Sequence, residues 1–393
     1  MNVLIVYPVG NALNPYAGLE TRTWLINSAL IKGDFNVSIL HSIKSKGLED
    51  EKLKKKCNVY YYKDTNFFGL SDRYYSDFNP FYLYKLFIIT RKKNIDAIQL
   101  ERIWGFLIIK LIARRRTILI CDSQLIESKY IGIDIKAKRI PKIFKHFIIW
   151  FARIYEKLVI RMVDVLICLS EIDREYFIKN FKIKRSKTIL LQTPSTINLQ
   201  TKPRSERLKK ECRKKLGLPM DKTIAMFHGG FPHQPNKEAL DLIRNYISPN
   251  IKNPDILFVV AGHNLEKFKE NNVLSLGFVE DLKDLLYSSD LAIVPIISGY
   301  GMRTKCMDYI MTGLPFIITK TGIEGIDFLE PDVDFLLYNS VNEEFLEGIN
   351  LLHNDNHLRQ KFEVNLIKKS KFFNRSMFEN RFIKLYNRLK NNR

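Results

Sequence analysis

The chain has 393 residues, 46% of them hydrophobic and 27% charged, which is long for one core and comfortable for two. Its five cysteines (Cys57, Cys121, Cys168, Cys212, Cys306) are scattered and form no CxxC pair, which argues against a disulfide framework or a zinc site and for a reducing compartment. The net charge of +21 is concentrated in the first half: residues 1–200 carry 34 Lys and Arg against 18 Asp and Glu, the remainder 29 against 24, so the first half favours anionic partners.

Met1-Asn2 leads directly into the apolar run Val3–Tyr7 with no basic flank, unlike a signal peptide. No stretch reaches the roughly eighteen uninterrupted apolar residues of a membrane span. The expected location is cytoplasmic. Val3–Tyr7 reads as a buried strand, Gly18–Ile31 as a helix and Asn36–His41 as the next strand. Ile95–Leu100, Thr117–Cys121, Val163–Leu169 and Thr188–Leu191 continue the strands, with helical patterns between most of them. This alternation predicts a parallel sheet covered by helices.

Residues 193–221 carry Pro194, Pro203 and Pro219 among Lys, Arg and Ser and read as a connection, with a short helix near Glu206–Leu216. A second alternating half follows. Its strands are Thr223–Phe227, Ile256–Ala261, Val273–Leu276, Leu291–Pro295, Pro315–Thr319 and Phe335–Leu337. Its helices include Lys237–Ile247, Leu282–Ser288 and Arg303–Met311. The reading is therefore an α/β protein of two Rossmann-like domains, 1–192 and 222–371, joined by 193–221 and followed by a helix in 372–393. Two such halves predict a cleft at the carboxyl ends of both sheets.

The strand-to-helix loops carry the chemistry. Ser298-Gly299-Tyr300-Gly301-Met302-Arg303 offers two glycines for close backbone approach and a helix start whose N–H groups and dipole favour a phosphate. Arg303 and Lys305 add cations and are the first catalytic candidates, neutralising a leaving diphosphate. Asp308, one turn beyond Lys305, is placed to hold ribose hydroxyls. Thr319–Gly325 brings Gly322, Gly325 and Glu324, the last a ligand for sugar hydroxyls. Phe227–Asn236 brings Gly229, Gly230 and His233 toward donor or acceptor, with Asn236 favoured as the N-cap of the following helix. Neither His228 nor His233 has partners at metal-ligand spacing, so no metal site is expected.

In the first half, Gly18 and Glu20 of the Tyr16–Thr21 loop are acceptor-binding candidates. Asp122 is a third catalytic candidate and Glu127 a further acceptor ligand, both after a strand, although loop carboxylates also cap helices. Lys136–Arg161 interleaves Phe144, Phe147, Ile148, Trp150 and Phe151 with basic residues, and Lys110–Arg116 is similar. The stretch reads either as peripheral attachment to an anionic membrane or as a core helix with a basic outer face. No nucleic-acid motif accompanies the charge, so no nucleic-acid partner is expected.

These loops, in this order, resemble retaining glycosyltransferase family 4 of GT-B fold. The resemblance is to the subgroup with a Pro-Asn pair after the first strand of the second domain, here in FHGGFPHQPNKEALDLI. It continues through LFVVAGHN, LSLGFVEDLKDLLYSSDLAIVPI and SGYGMRTKCMDYIMTGLPFIITKTGIEGI, and more weakly through VLIVYP, YAGLET and VDVLICLSEIDREYF in the first half. The resemblance implies a diphosphate at Gly299, Gly301, Arg303 and Lys305, with Met302 beside it. It implies a ribose at Asp308, a base beside Gly277 and Phe278, and Glu324 near the donor. It also implies that Phe372–Leu389 returns to pack on the first domain. Two family features are absent. The first glutamate of Glu-x7-Glu would fall at Tyr300 and the second is shortened to Asp308, and the arginine–lysine pair after the second domain's first strand is not evident. The expected activity is sugar transfer from a nucleoside diphosphate sugar to a glycan or polyprenyl-linked acceptor, with retention and without metal or cofactor. A nucleotide-sugar 2-epimerase and a non-catalytic scaffold binding a partner or membrane are the alternatives.

Overall fold

Short unbroken runs of Val, Ile and Leu bury both faces of a strand, and a chain built of such runs separated by helices folds into parallel sheets covered on both sides. The computed structural model describes residues 1–7, 13, 18–43, 46–47, 50–63, 79–136, 141–195, 197 and 204–392. The chain forms two units, Met1–Gln192 with Ser376–Arg393, and Thr193–Arg375.

The first unit holds strands β1 (Asn2–Val6), β2 (Asn36–Ser42), β3 (Asn58–Tyr62), β4 (Ala97–Leu100), β5 (Ile118–Ser123), β6 (Val165–Cys168) and β7 (Thr188–Leu190). They form one sheet in the order β3-β2-β1-β4-β5-β6-β7, every pair parallel. The strand order reverses between β1 and β4. The helix Arg375–Asn391 belongs to this unit: Phe378, Phe382, Leu385 and Tyr386 join the core under β1 and β2, and Lys32 Nζ meets Glu379 Oε2 at 2.8 Å.

The second unit holds β8 (Thr223–His228), β9 (Ile256–Ala261), β10 (Phe268–Glu270), β11 (Val273–Gly277), β12 (Leu291–Val294), β13 (Phe316–Thr319) and β14 (Leu336–Tyr338). Their order is β10-β11-β9-β8-β12-β13-β14, parallel except for β10, an antiparallel edge on β11. β8 pairs with β9 along its whole length, from Thr223–Ile256 to His228–Ala261. With β12 it pairs only at Ala225–Leu291 and Met226–Ala292. The reversal of strand order in this sheet therefore coincides with an early end of the ladder, and a crevice at the carboxyl ends of two diverging strands is where open α/β sheets bind ligands.

Much of the stretch read as a connection is built into the second unit. The helix Glu206–Leu216 is capped by Ser205, whose side chain accepts from Leu208 N, and ends on Gly217 in the left-handed region. Its Arg213 donates from Nε to Ser288 O at 2.9 Å and from Nη2 to Asp290 at 2.5 Å, while Asp290 also accepts from Ile224 N.

Candidate functional site

At the end of β8 the chain turns through Gly229-Gly230 into the helix Gln234–Leu242. Asn236 is not the N-cap of this helix. His233 holds that position without a side-chain capping bond to the helix, and Asn236 sits inside the first turn after Pro235. Proline fits there because the first-turn N–H groups have no helical partner, and this displaces the cap from the residue that sequence pattern favoured. The Asn236 side chain is freed for other work. Its Nδ2 donates to Gly230 O at 2.7 Å, and its Oδ1 accepts from Lys305 Nζ at 2.8 Å. A Cβ on Gly229 would fall 2.7 Å from the same amide.

Lys305 lies in the first turn of the helix Thr304–Thr312, which follows β12. Its ammonium also stands 3.9 Å from the centre of the Phe227 ring at the end of β8. The lysine thus bridges the two strands at the reversal point. Burial pulls its pKa down to about 7, with Arg303 adding to the effect. A cation held by a ring and one amide oxygen, with no carboxylate bonded to it among the described residues, is prepared for an anion.

The loop before this helix is shaped by backbone geometry. Gly299 and Gly301 both lie in the left-handed region, at φ 94° and 92°. A Cβ on Gly299 would meet Pro235 Cγ at 2.8 Å. Arg303 is the N-cap residue and folds back on the loop, donating from Nη2 to Ser298 O at 3.0 Å. Its Nε is buried with no hydrogen-bond partner among the described residues. Ser298 Oγ donates to Glu238 on the preceding helix. Arg303 therefore braces the loop's carbonyls, and Lys305 carries the less engaged charge.

The loop after β13 closes on the same place. Gly325, at φ 87°, lies so near that an added Cβ would sit 2.8 Å from Met302 Cα. Glu324, half-buried, opposes the effect of burial on Arg303. Asp308, on the buried face of the Thr304–Thr312 helix, accepts from Ser195 Oγ at 2.6 Å. Its other oxygen lies 3.6 Å from His228 Nε2. Burial raises Asp308 to about 7 and lowers His228 to about 3, the latter helped by Lys305. Burial thus favours the neutral imidazole, and its Nε2 has no hydrogen-bond partner among the described residues. Sequence pattern missed Ser195 and His228 in these roles. Ser195 stands in the segment read as linker, and only its hydrogen bond across the unit reveals it.

Gly277 ends β11, Phe278 follows it, and both join the same end of the sheet. Gly277 O accepts from Gly262 N at 2.8 Å, and Gly262 lies against Gly229. Phe278 is 63% exposed, an aromatic face open to solvent edge-on to His263. Gly229, Gly230, Gly277, Gly299, Met302, Arg303, Lys305, Asp308 and Glu324 thus lie along one rim. His233 is exposed at its margin.

The first-unit candidates are placed differently. Gly18 and Glu20 open the helix Gly18–Lys32, while Tyr16 and Ala17 lie outside the described residues. Asp122 is buried and held by Arg22 through two bonds of 2.7 and 2.9 Å. Glu127 is buried in a two-bond pair with Arg102. Each of these two carboxylates is therefore paired with a buried arginine. Beside Asp122, Glu101 accepts from Gln99 Nε2 at 2.6 Å and from Gln124 Nε2 at 2.9 Å. Burial, reinforced by Asp122, lifts it to about 8. Among the described residues no group of three or more His, Cys, Asp and Glu is arranged to hold a metal ion.

With this geometry in view, residues 222–355 match the model of the family "Glycosyl transferases group 1". The matched residues all lie in the second unit. The chain is also 27% identical over 135 residues to TuaC of Bacillus subtilis (strain 168), whose name assigns it to teichuronic acid biosynthesis as a glycosyltransferase. The match spans about a third of each chain, 33%. Sucrose-phosphate synthase from Thermosynechococcus elongatus superposes with a TM-score of 0.78 over 100% of both chains, at 14% identity. HepE of Anabaena, solved with UDP, gives 0.70 at 13% identity over 98% of this chain and 100% of that one. A glycosyltransferase from Rickettsia africae ESF-5 gives 0.70 at 15% identity over 100% and 99%. The fold is thus the one expected: two Rossmann-like α/β units in the GT-B manner.

Proposed function

We propose that the chain transfers a sugar from a nucleoside diphosphate sugar to a glycan or polyprenyl-linked acceptor in the cytoplasm, with retention at the anomeric carbon and without a metal ion or cofactor. The observation that carries this reading is Lys305, desolvated and half-buried where β8 and β12 part, beside a glycine loop and a helix start. A diphosphate placed there meets helix N–H groups and the ammonium together. As the bond from the anomeric carbon to the leaving phosphate lengthens, negative charge grows on that phosphate, and fixed positive groups in a water-poor site stabilise it. The phosphate oxygen takes the acceptor's proton as the new bond forms on the same face of the sugar.

The other residues take roles consistent with their positions. Arg303 holds the loop in shape through the Ser298 carbonyl. Asp308, kept in place by Ser195, binds ribose hydroxyls. Phe278 offers a ring to the base, and Glu324 binds hydroxyls of the sugar. The UDP named with HepE fits a uridine donor.

The test is a panel of labelled nucleotide sugars incubated with the full chain, with and without a chelator, alongside Arg303→Ala and Lys305→Met. Transfer that survives chelation and falls by two orders of magnitude or more in Lys305→Met is expected, on the order of a lost charge-stabilising donor. Full activity of Lys305→Met would overturn the assignment. Release of an epimerised nucleotide sugar without transfer would favour the epimerase.

A further inference from the structure

The helix Lys142–Met162 is held from inside and bare outside. On its inner face, Ala152 packs with Ile131, Trp104 and Ile148, and Trp104 stacks on Tyr155 at 5.0 Å. Glu156 is fully buried and accepts from the Glu127 amide at 2.7 Å and from Ser128 Oγ at 2.6 Å. On the outer face, Phe144, Phe147, Trp150, Phe151, Ile154 and Leu158 are all exposed, Trp150 at 58%. At 3.6 residues per turn these six fall within about a third of the helix circumference. Such a contiguous apolar stripe on a rigid helix marks an interaction surface.

The charges say what covers it. Lys142, Arg153 and Lys157 are exposed along one flank of the stripe. The helix's single acidic residue, Glu156, is turned inward, so no carboxylate borders the stripe on this helix. No described helix is long and apolar enough to cross a membrane. An aromatic stripe whose own helix carries exposed cations and no exposed carboxylate is the pattern of a helix lying in the plane of an anionic bilayer, rings among the acyl chains and ammonium groups at the phosphates. A second copy of the chain would bring like charges together in a protein of net charge +21.

We propose that the outer face of Lys142–Met162 docks on the surface of an anionic lipid bilayer. The inference stands on this helix and not on the sugar chemistry of the second unit. Its test uses the full chain with vesicles of phosphatidylcholine, alone or mixed with phosphatidylglycerol, read by co-sedimentation and by quenching of Trp150 with brominated acyl chains. Binding to the mixed vesicles alone is expected, with quenching that disappears in Trp150→Phe. Arg153→Gln with Lys157→Gln weakens partition by about thirtyfold, at roughly 1 kcal/mol per cation near such a surface. Trp150→Ser with Phe151→Ser weakens it at least about tenfold. Both double variants melt with the parent, because the altered side chains are exposed. Equal binding to neutral vesicles, unchanged partition of both double variants, or sedimentation without Trp150 quenching would each overturn the proposal. So would failure to bind any vesicle together with a concentration-dependent doubling of mass that Trp150→Ser abolishes, since the stripe would then join two copies.

Discussion

Lys305 Nζ and Asn236 Oδ1 meet at 2.8 Å across 69 residues of chain, and the same Asn236 amide donates to Gly230 O. One side chain therefore fixes both the cation and the turn beside it. Asn236→Ala leaves the ammonium without its oxygen and the carbonyl without its donor. A buried group left unmatched costs about 1–3 kcal/mol. We expect about tenfold weaker binding of UDP or a UDP-sugar, measured by calorimetry, with a lowered melting temperature. Unchanged affinity would remove Asn236 from the site.

Donor binding should take up a proton. Lys305 stands at about 7 in the empty site because of burial, and a diphosphate beside it favours the charged form. At pH 8 the free lysine is mostly neutral and becomes charged in the complex. Titrations in two buffers of different ionisation enthalpy should show uptake of up to about one proton, absent in Lys305→Met. Affinity should fall as pH rises through 7, because proton uptake opposes binding as protons become scarce.

Gly325 and Gly299 can be separated by alanine. Both have positive φ, but an alanine at Gly325 also meets Met302 backbone at 2.8 Å, whereas one at Gly299 meets the Pro235 ring. Gly325→Ala should cost more stability, about 2 kcal/mol or above, than the roughly 1 kcal/mol of the left-handed penalty alone. Thermal unfolding of the two variants checks the order; a reversed order refutes the close approach of the two loops.

Glu101 makes stability depend on pH. Burial, with Asp122 nearby, raises it from 4.5 to about 8, so between those values the folded state keeps a proton that the unfolded chain has released. Stability therefore declines as pH rises through that window. Glu156, raised to about 7, acts in the same direction over a narrower range. Glu101→Gln should flatten the decline between pH 5 and 8 in denaturant titrations. An unaltered slope would show that Glu101 is already ionised in the folded protein.

The parts of the fold made of local, continuous signals were readable from residues alone. The strand Ile256–Ala261 and the helices Glu206–Leu216 and Leu282–Ser288 have the bounds that apolar runs and periodicity indicate. The edges were not. β3 is Asn-Val-Tyr-Tyr-Tyr with only Tyr62 buried, and β10 is Phe-Lys-Glu, too short and polar to stand out. An edge strand exists because a neighbour offers hydrogen bonds, and its own side chains carry little record of that. The anion-cradle loop could be located from its glycines and cations. The turn of Arg303 back onto Ser298, the clasp of Asn236 on Lys305 and the prop of Ser195 under Asp308 depend on residues brought together over long separations. Proline at 235 redirected an asparagine from the cap that local statistics favour.

The last helix, Arg375–Asn391, supplies Phe378, Phe382 and Tyr386 to the interior formed by the earliest strands. During synthesis the second unit can therefore emerge whole while the first still has a hole in it. A ribosome-bound chain is expected to hold an unfinished amino-terminal half until residues 376–391 have left the exit tunnel. Shortened versions that stop before this helix should expose the greasy underside of β1 and β2 to chaperones.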